Sequence, residues 1–321
     1  INYLVKFSRI YEIELSSLCN AKCSGCMRTM LDNEGKDYYK GNIFYDEIVN
    51  WFSDEDLTDT KLKLCGVLGD PIANHDLEDI LHFFLFDKNV KYIEISTNGG
   101  IRNYNFWDNM GEMSAMSNKR MEIHWSIDGV TKNDYRENVN LQKVWENFHT
   151  YIRAGGQSIW QYIEFDYNKD EIPIAKHIAE SLGIKLYIRK SWRNNADAAV
   201  FKSEASKSID ERTYEEVTEL INRGEYENNI VCRHKKQNEY FISANRRLWP
   251  CCHLQDEYVK GDNLDKILNY YGEDFNNLTL HSISSIIESE WYQNALERSW
   301  DKHDPLHLPR CHLACGDNGK R

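Results

Sequence analysis

Along the first two-thirds of the chain, short runs rich in β-branched and aromatic residues alternate with longer stretches whose apolar positions recur at helical spacing. The runs at 11–15, 61–66, 92–96, 121–127, 160–165 and 185–188 predict strands. Between them, 43–52, 77–86, 104–114, 141–154 and 172–182 predict amphipathic helices. Parallel strands joined by helices cross over right-handed, so six such units curl into an open or closed barrel or lie as a doubly wound sheet. In either case the loops after the strand C-termini build the site. The pattern breaks at 191–195, a polar stretch that reads as a linker, and places a domain boundary near residue 210. Beyond it come a helical segment at 213–222, a hairpin of 240–243 and 247–249, a polar loop, short helical segments at 283–290 and 291–299, and a cysteine-rich tail.

Composition narrows the classes. A chain of 321 residues with 41% hydrophobic content can bury a real core. No apolar run reaches the roughly 18 residues that span a bilayer, and the opening residues lack a signal-peptide pattern, so the expectation is a cytoplasmic protein without membrane partners. A net charge of −12 repels a phosphate backbone and disfavours nucleic acid. Most of the nine cysteines fall in short-spaced groups, which in a reducing compartment reads as metal or cluster ligation.

The first group, Cys19, Cys23 and Cys26, follows the first predicted strand directly. Three thiolates on one short loop can ligate three irons of a [4Fe–4S] cluster and leave the fourth open. A structural zinc site normally takes four ligands, which this spacing does not offer. The C-x3-C-x2-C spacing after the first strand resembles the signature of the radical S-adenosylmethionine (SAM) superfamily. That resemblance implies a partial (β/α)6 TIM-type barrel over 1–210, a SAM-binding [4Fe–4S] cluster, reductive cleavage of SAM to a 5′-deoxyadenosyl radical, and hydrogen abstraction from a substrate. The residue before the third cysteine, usually aromatic in the family, is Gly25 here.

Later strand ends extend the likeness. Gly69-Asp70-Pro71 after the second strand resembles the family's G-G-E-P turn, with Asp70 in place of the usual glutamate. Thr97-Asn98-Gly99 after the third is similar to a T-N-G turn near the SAM ribose, and Ser126-Ile127-Asp128-Gly129 after the fourth resembles its S-x-D-G segment. The likeness therefore implies Gly69, Asp70, Asn98, Ser126 and Asp128 as cofactor contacts. Glu164 on the fifth strand and Arg189 on the sixth stand where relatives place further polar contacts; a salt bridge at the strand ends is the competing reading for both. No residue is assigned as catalytic. Cys65, isolated near the end of the second strand, reads as a buried small hydrophobe.

A second group lies in the remainder of the chain: Cys232, Cys251, Cys252, Cys311 and Cys315. The hairpin ending Trp249-Pro250-Cys251-Cys252 resembles the auxiliary-cluster domains of radical SAM enzymes, of SPASM or twitch type. This implies a small α+β domain over 211–321 with one auxiliary [4Fe–4S] cluster on Cys232, Cys251, Cys311 and Cys315, with Cys252 as an alternative to Cys251. Zinc held by Cys311, His312 and Cys315 with His303 or His307 is the competing reading.

Three functions follow as expectations. The first is a radical SAM enzyme acting on a small polar, carbohydrate-type molecule and served by an external one-electron reductant such as flavodoxin or ferredoxin. Next comes a maturase modifying a ribosomal peptide or protein; only about ten residues precede the first strand, which tilts the reading towards the small molecule. The third is a non-enzymatic zinc or iron–sulfur protein.

Overall fold

Five parallel strands, in the order β6-β5-β4-β3-β2, carry the larger part of the chain. They are β2 (Thr60–Leu64), β3 (Tyr92–Thr97), β4 (Met121–Ser126), β5 (Gln157–Glu164) and β6 (Lys185–Lys190). A first strand, β1 (Arg9–Ile13), precedes them in sequence. The structure, a computed structural model, describes residues 6–190, 219–220, 223, 229–261 and 264–316. The stretch 191–195, the boundary near 210 and most of the segment at 213–222 lie outside these residues. The chain divides into two compact units, 13–209 and 1–12 with 210–321.

The fold class is the expected α/β partial barrel with a smaller α+β part. Between strands run α1 (Met27–Glu34), α2 (Tyr45–Phe52), α3 (Leu77–His82), α4 (Tyr104–Met116), α5 (Leu141–Arg153) and α6 (Ile172–Leu182). Local chemistry sets their starts: Asn103 and Asn140 cap α4 and α5 by accepting from the backbone N–H groups of Phe106 and Lys143. Strand ends shift by up to two residues from expectation, and two strands start markedly earlier. β1 begins two residues before 11, and β5 three before 160, because pairing partners rather than composition decide where a ladder starts.

The two faces of the five-stranded sheet are chemically unlike. One buries Ile93, Ile95, Ile123, Trp125, Trp160 and Tyr162 against the helices. Trp125 lies 4.7 Å from Trp107 of α4 and 5.2 Å from Phe148 of α5, and Trp160 lies 5.0 Å from Trp145. Truncating either tryptophan to alanine costs about 3–5 kcal/mol. Most alternate positions on the opposite face are polar, Lys61, Glu94, Glu122, His124, Gln161 and Arg189 among them, with Ile159 and Ile163 the apolar exceptions on β5. Parallel sheets usually carry apolar side chains on both faces. This one therefore presents a face built for something other than packing.

In the smaller unit the strand order is β1-β7-β8, with β7 (Glu239–Ile242) antiparallel to β8 (Leu248–Trp249). Its core gathers Trp249, Phe275, Tyr271 and Trp291. A short helix, α7 (Arg233–Lys236), precedes β7. The polar loop expected after the hairpin instead contains α8 (Cys252–Lys260) and α9 (Asp265–Tyr271). The helix α8 escapes a periodicity reading because Gln255 and Glu257 share its buried side with Leu254. Then follow α10 (Ile283–Ile287), α11 (Leu296–Arg298) and α12 (Pro309–Cys315). Among the described residues no helix is long and apolar enough to cross a membrane.

Candidate functional site

The loop bearing Cys19, Cys23 and Cys26 packs against one aromatic cluster. Ala21 and Cys23 are buried with Tyr135 and Phe165, while Cys19, Cys26, Ile163 and Tyr167 pack around them. Tyr135 and Phe165 lie 4.8 Å apart, and Phe165 stacks on Tyr167. Cys19 Sγ accepts from the backbone N–H of Ala21 at 3.4 Å, turning the loop back on itself. Cys26 is the N-cap of α1. Burial, helped by nearby Asp70, pushes the Cys19 thiol up to about 12. A metal that takes the thiolate must therefore displace its proton.

Two turns beneath this loop are locked together. The Asp70 carboxylate is buried, and its Oδ2 accepts from Thr97 Oγ1 at 3.0 Å, Asn98 N at 2.9 Å and Asn98 Nδ2 at 2.8 Å, while Oδ1 accepts from Ile72 N. Burial raises its pKa against the pull of these hydrogen bonds. Asn98 Nδ2 also stands 3.0 Å from Asn20 Oδ1 and 3.5 Å from Cys19 Sγ. Asp70 N donates to Leu18 O, and a Cβ on Gly69 would lie 1.9 Å from Ser16 O. The second and third strand ends thus clamp the cysteine loop, and Asp70 uses its oxygens internally.

Asp128 is similarly committed. Its Oδ1 accepts from Ile163 N at 2.9 Å and its Oδ2 pairs with Arg136 Nε at 2.8 Å, both with little exposure. Ser126 ends β4 opposite Gln161. Glu164 alternates onto the face shared by Trp160 and Tyr162, away from Ile163, which meets the cysteine loop. Arg189 stands opposite Ile163 on β6 and is exposed. The geometry therefore gathers Gly69, Asp70 and Asn98 at the cysteines, buries Asp128 behind them, and leaves Glu164 on the other face of the sheet.

Residues that sequence reasoning missed line the polar sheet face. Lys61 Nζ lies 2.6 Å from Glu94 Oε2, His124 Nδ1 3.4 Å from Glu94 Oε1, and His124 Nε2 3.0 Å from Glu122 Oε1. Tyr92 donates to Glu122 at 2.5 Å, and the Gln161 amide meets His124 Nδ1. Burial opposes the Glu122 charge, but hydrogen bonds from His124 and Tyr92 outweigh it and lower the pKa. The signal is present as polar residues at every second position of 61–63, 92–96 and 122–126.

In the smaller unit, Cys232, Cys251, Cys311 and Cys315 line one small cavity, with Pro250, Leu254 and Trp300 among its apolar walls. Cys311 and Cys315 sit one turn apart on α12. Val231 N donates to Cys315 O, drawing Cys232 alongside. Burial raises the Cys251 and Cys311 thiols, and the other cysteines of the cavity raise them further. Cys252 has a different setting: burial first, then Glu12, Cys251, Asp256 and Glu239, push its thiol up. It does not line the cavity. His312 Nε2 faces Trp300 O at 2.9 Å, His303 is exposed, and burial beside His312 lowers His307 to about 4.

Three free thiols on one loop and four around one pocket are donor sets of the kind iron–sulfur clusters take. Around the first loop, buried Ser24 Oγ, Arg28 Nε and Thr29 Oγ1 have no hydrogen-bond partner among the described residues, as expected of donors that face an acceptor-rich group.

Neither a family model nor a curated protein matches the sequence. Solved structures do share the fold. Native anSMEcpe with bound AdoMet (SAM) aligns with a TM-score of 0.56 at 14% identity, over 97% of this chain and 92% of that one. Streptococcus suis SuiB bound to S-adenosylmethionine gives 0.55 at 14%, over 78% and 61%. SuiB bound to its precursor peptide SuiA gives 0.53 at 14%, over 83% and 65%. This chain thus spans about three-fifths of the length of SuiB. The fold is that of radical SAM enzymes.

Proposed function

We propose that the chain is a radical SAM enzyme with one auxiliary cluster, working in the cytoplasm on a polar substrate. The observation that carries this reading is the clamp of Cys19, Cys23 and Cys26 by the Asp70–Asn98 pair at two successive strand ends. When bound, the cluster and SAM would supply one-electron radical chemistry at a substrate C–H bond. Cys19, Cys23 and Cys26 would hold the first cluster; Asp70 fixes the turn after β2; Asn98 braces Cys19. Gly69 and Ser126 supply contacts at the strand ends, and Asp128 acts by holding Arg136 and β5. Arg189 serves as a carboxylate partner, while Glu164 faces away from the cysteine loop. Cys232, Cys251, Cys311 and Cys315 hold the auxiliary cluster, and a small external protein supplies electrons.

The polar sheet face supports a substrate rich in hydroxyl, amine or carboxylate groups: Lys61, Glu94, Glu122 and His124 present donors and acceptors of both signs. A peptide substrate is the second reading, favoured by structures of similar fold solved with peptides, SuiB with SuiA and anSMEcpe with Cp18Cys peptide. Anaerobic incubation with perdeuterated sugars, aminocyclitols and peptides tests both. Deuterium in 5′-deoxyadenosine from a polyol supports the first reading, and transfer from peptides alone replaces it with the second.

A further inference from the structure

We propose that Arg28 is the fixed counter-charge of the iron–sulfur group on Cys19, Cys23 and Cys26, easing its one-electron reduction. The inference rests on the radical SAM reading above.

Arg28 breaks two rules of helix and core construction at once. It lies in the first turn of α1, two residues after Cys26, where the helix dipole disfavours a cation. It is also buried at 8% exposure, where an uncompensated charge is strongly penalised. Its carboxylate partner among the described residues, Asp32, stands 3.7 Å away and is 41% exposed, so solvent screens much of that attraction. The guanidinium donates from Nη2 to the carbonyl of Ala21, between Cys19 and Cys23, and its buried Nε has no hydrogen-bond partner among the described residues. A guanidinium stays charged at any physiological pH. A local conflict of this kind is resolved by an anion, and three thiolates around a cluster carry net negative charge.

A second cation reaches the same loop from the other side. The segment 135–137 runs alongside it: Tyr135 packs on Cys23, and Lys22 N donates to Glu137 O at 2.9 Å. Between them Arg136 is half-buried, and its Nε lies 2.8 Å from Asp128 Oδ2. Buried Asp128 already offsets Arg136, whereas the carboxylate that faces Arg28 is the solvated one of Asp32. Arg28 is therefore the positioning residue whose charge acts on the group. One electron arrives from an external reductant, and Arg28 itself gains or loses neither proton nor electron.

The test uses the full chain, reconstituted anaerobically, with iron counting and an EPR-monitored potentiometric titration of the signal that changes when SAM is added. Arg28→Gln keeps donors but removes the charge; Arg28→Lys keeps the charge but not the fork. Removing the charge should lower the reduction equilibrium about tenfold, or 59 mV for a one-electron couple, with Arg28→Lys recovering most of it. If Arg28→Gln loads no iron while Arg28→Lys does, counter-charge is equally supported. An unchanged potential in Arg28→Gln overturns the inference. So does an Arg28→Lys variant that falls as far as Arg28→Gln in potential or loading, because shape rather than charge then matters. A wild-type chain with no SAM-sensitive signal overturns the radical SAM reading itself, and the inference with it.

Discussion

Substituting Gly69 by alanine should damage the cysteine loop out of proportion to the single methyl added. The new Cβ would lie 1.9 Å from Ser16 O, 2.6 Å from Ser16 C and 2.7 Å from Ser17 C. These are backbone atoms, and the chain must move by about 1 Å or more before contact becomes ordinary. It cannot move freely, since Asp70 N donates to Leu18 O, Ser17 N donates to Gly41 O and Asn98 binds at Cys19. Overpacking of this kind costs about 1–3 kcal/mol, and the upper end is expected where both sides are pinned. Gly35 supplies the control. It ends α1 at φ 65 with nothing within 4 Å of an added methyl, so alanine there incurs only left-handed backbone strain of about 1 kcal/mol. Urea unfolding of the apo chain reads the two stabilities, and iron content after anaerobic reconstitution reads the loop. Gly69→Ala should be the less stable and should lose iron at the first site, while Gly35→Ala keeps it. Equal stabilities with full iron in both would refute the claim that Gly69 seats the loop.

Other outcomes follow from the smaller unit. Cys251→Ala should lose about four irons per chain and Cys252→Ala none, since Cys252 lies outside the cavity; equal losses would contradict this placement. Burial, partly offset by Arg310 and Lys260, raises Asp256 to about 6 from an ordinary 3.8. Because the folded value is the higher one, its stability contribution is complete below about pH 4 and lost as pH rises through 6. Relative to Asp256→Asn, the wild-type apo chain should therefore lose on the order of 2 kcal/mol between pH 4 and 8. Parallel unfolding curves for the two across that range would rule it out.

What the sequence makes legible is mostly local. The spacing of Cys19, Cys23 and Cys26, the Pro250-Cys251 pair and the β/α alternation are each contained in a few consecutive residues. The partners of Asp70 are not: its donors, Thr97 and Asn98, arrive 27 and 28 residues later, brought by the register of β2 and β3. Sequence reasoning implies Asp70 and Asp128 as cofactor contacts but says nothing of their carboxylates, which bind Asn98 and Arg136. Glu164 rests on family likeness alone, and the two-residue period of β5 turns it away from Ile163. The helix α8 looks like a loop in sequence because its inward side buries Glu257, which meets Arg310 at 3.6 Å, a pairing no periodicity reveals.

The central claim is the one made of Cys19, Cys23 and Cys26. With excess SAM and dithionite under anaerobic conditions, the reconstituted chain should release 5′-deoxyadenosine, and Cys23→Ala should release none while keeping about four irons at the second site. Absence of 5′-deoxyadenosine from the iron-loaded wild type, or equal release by Cys23→Ala, would contradict the account.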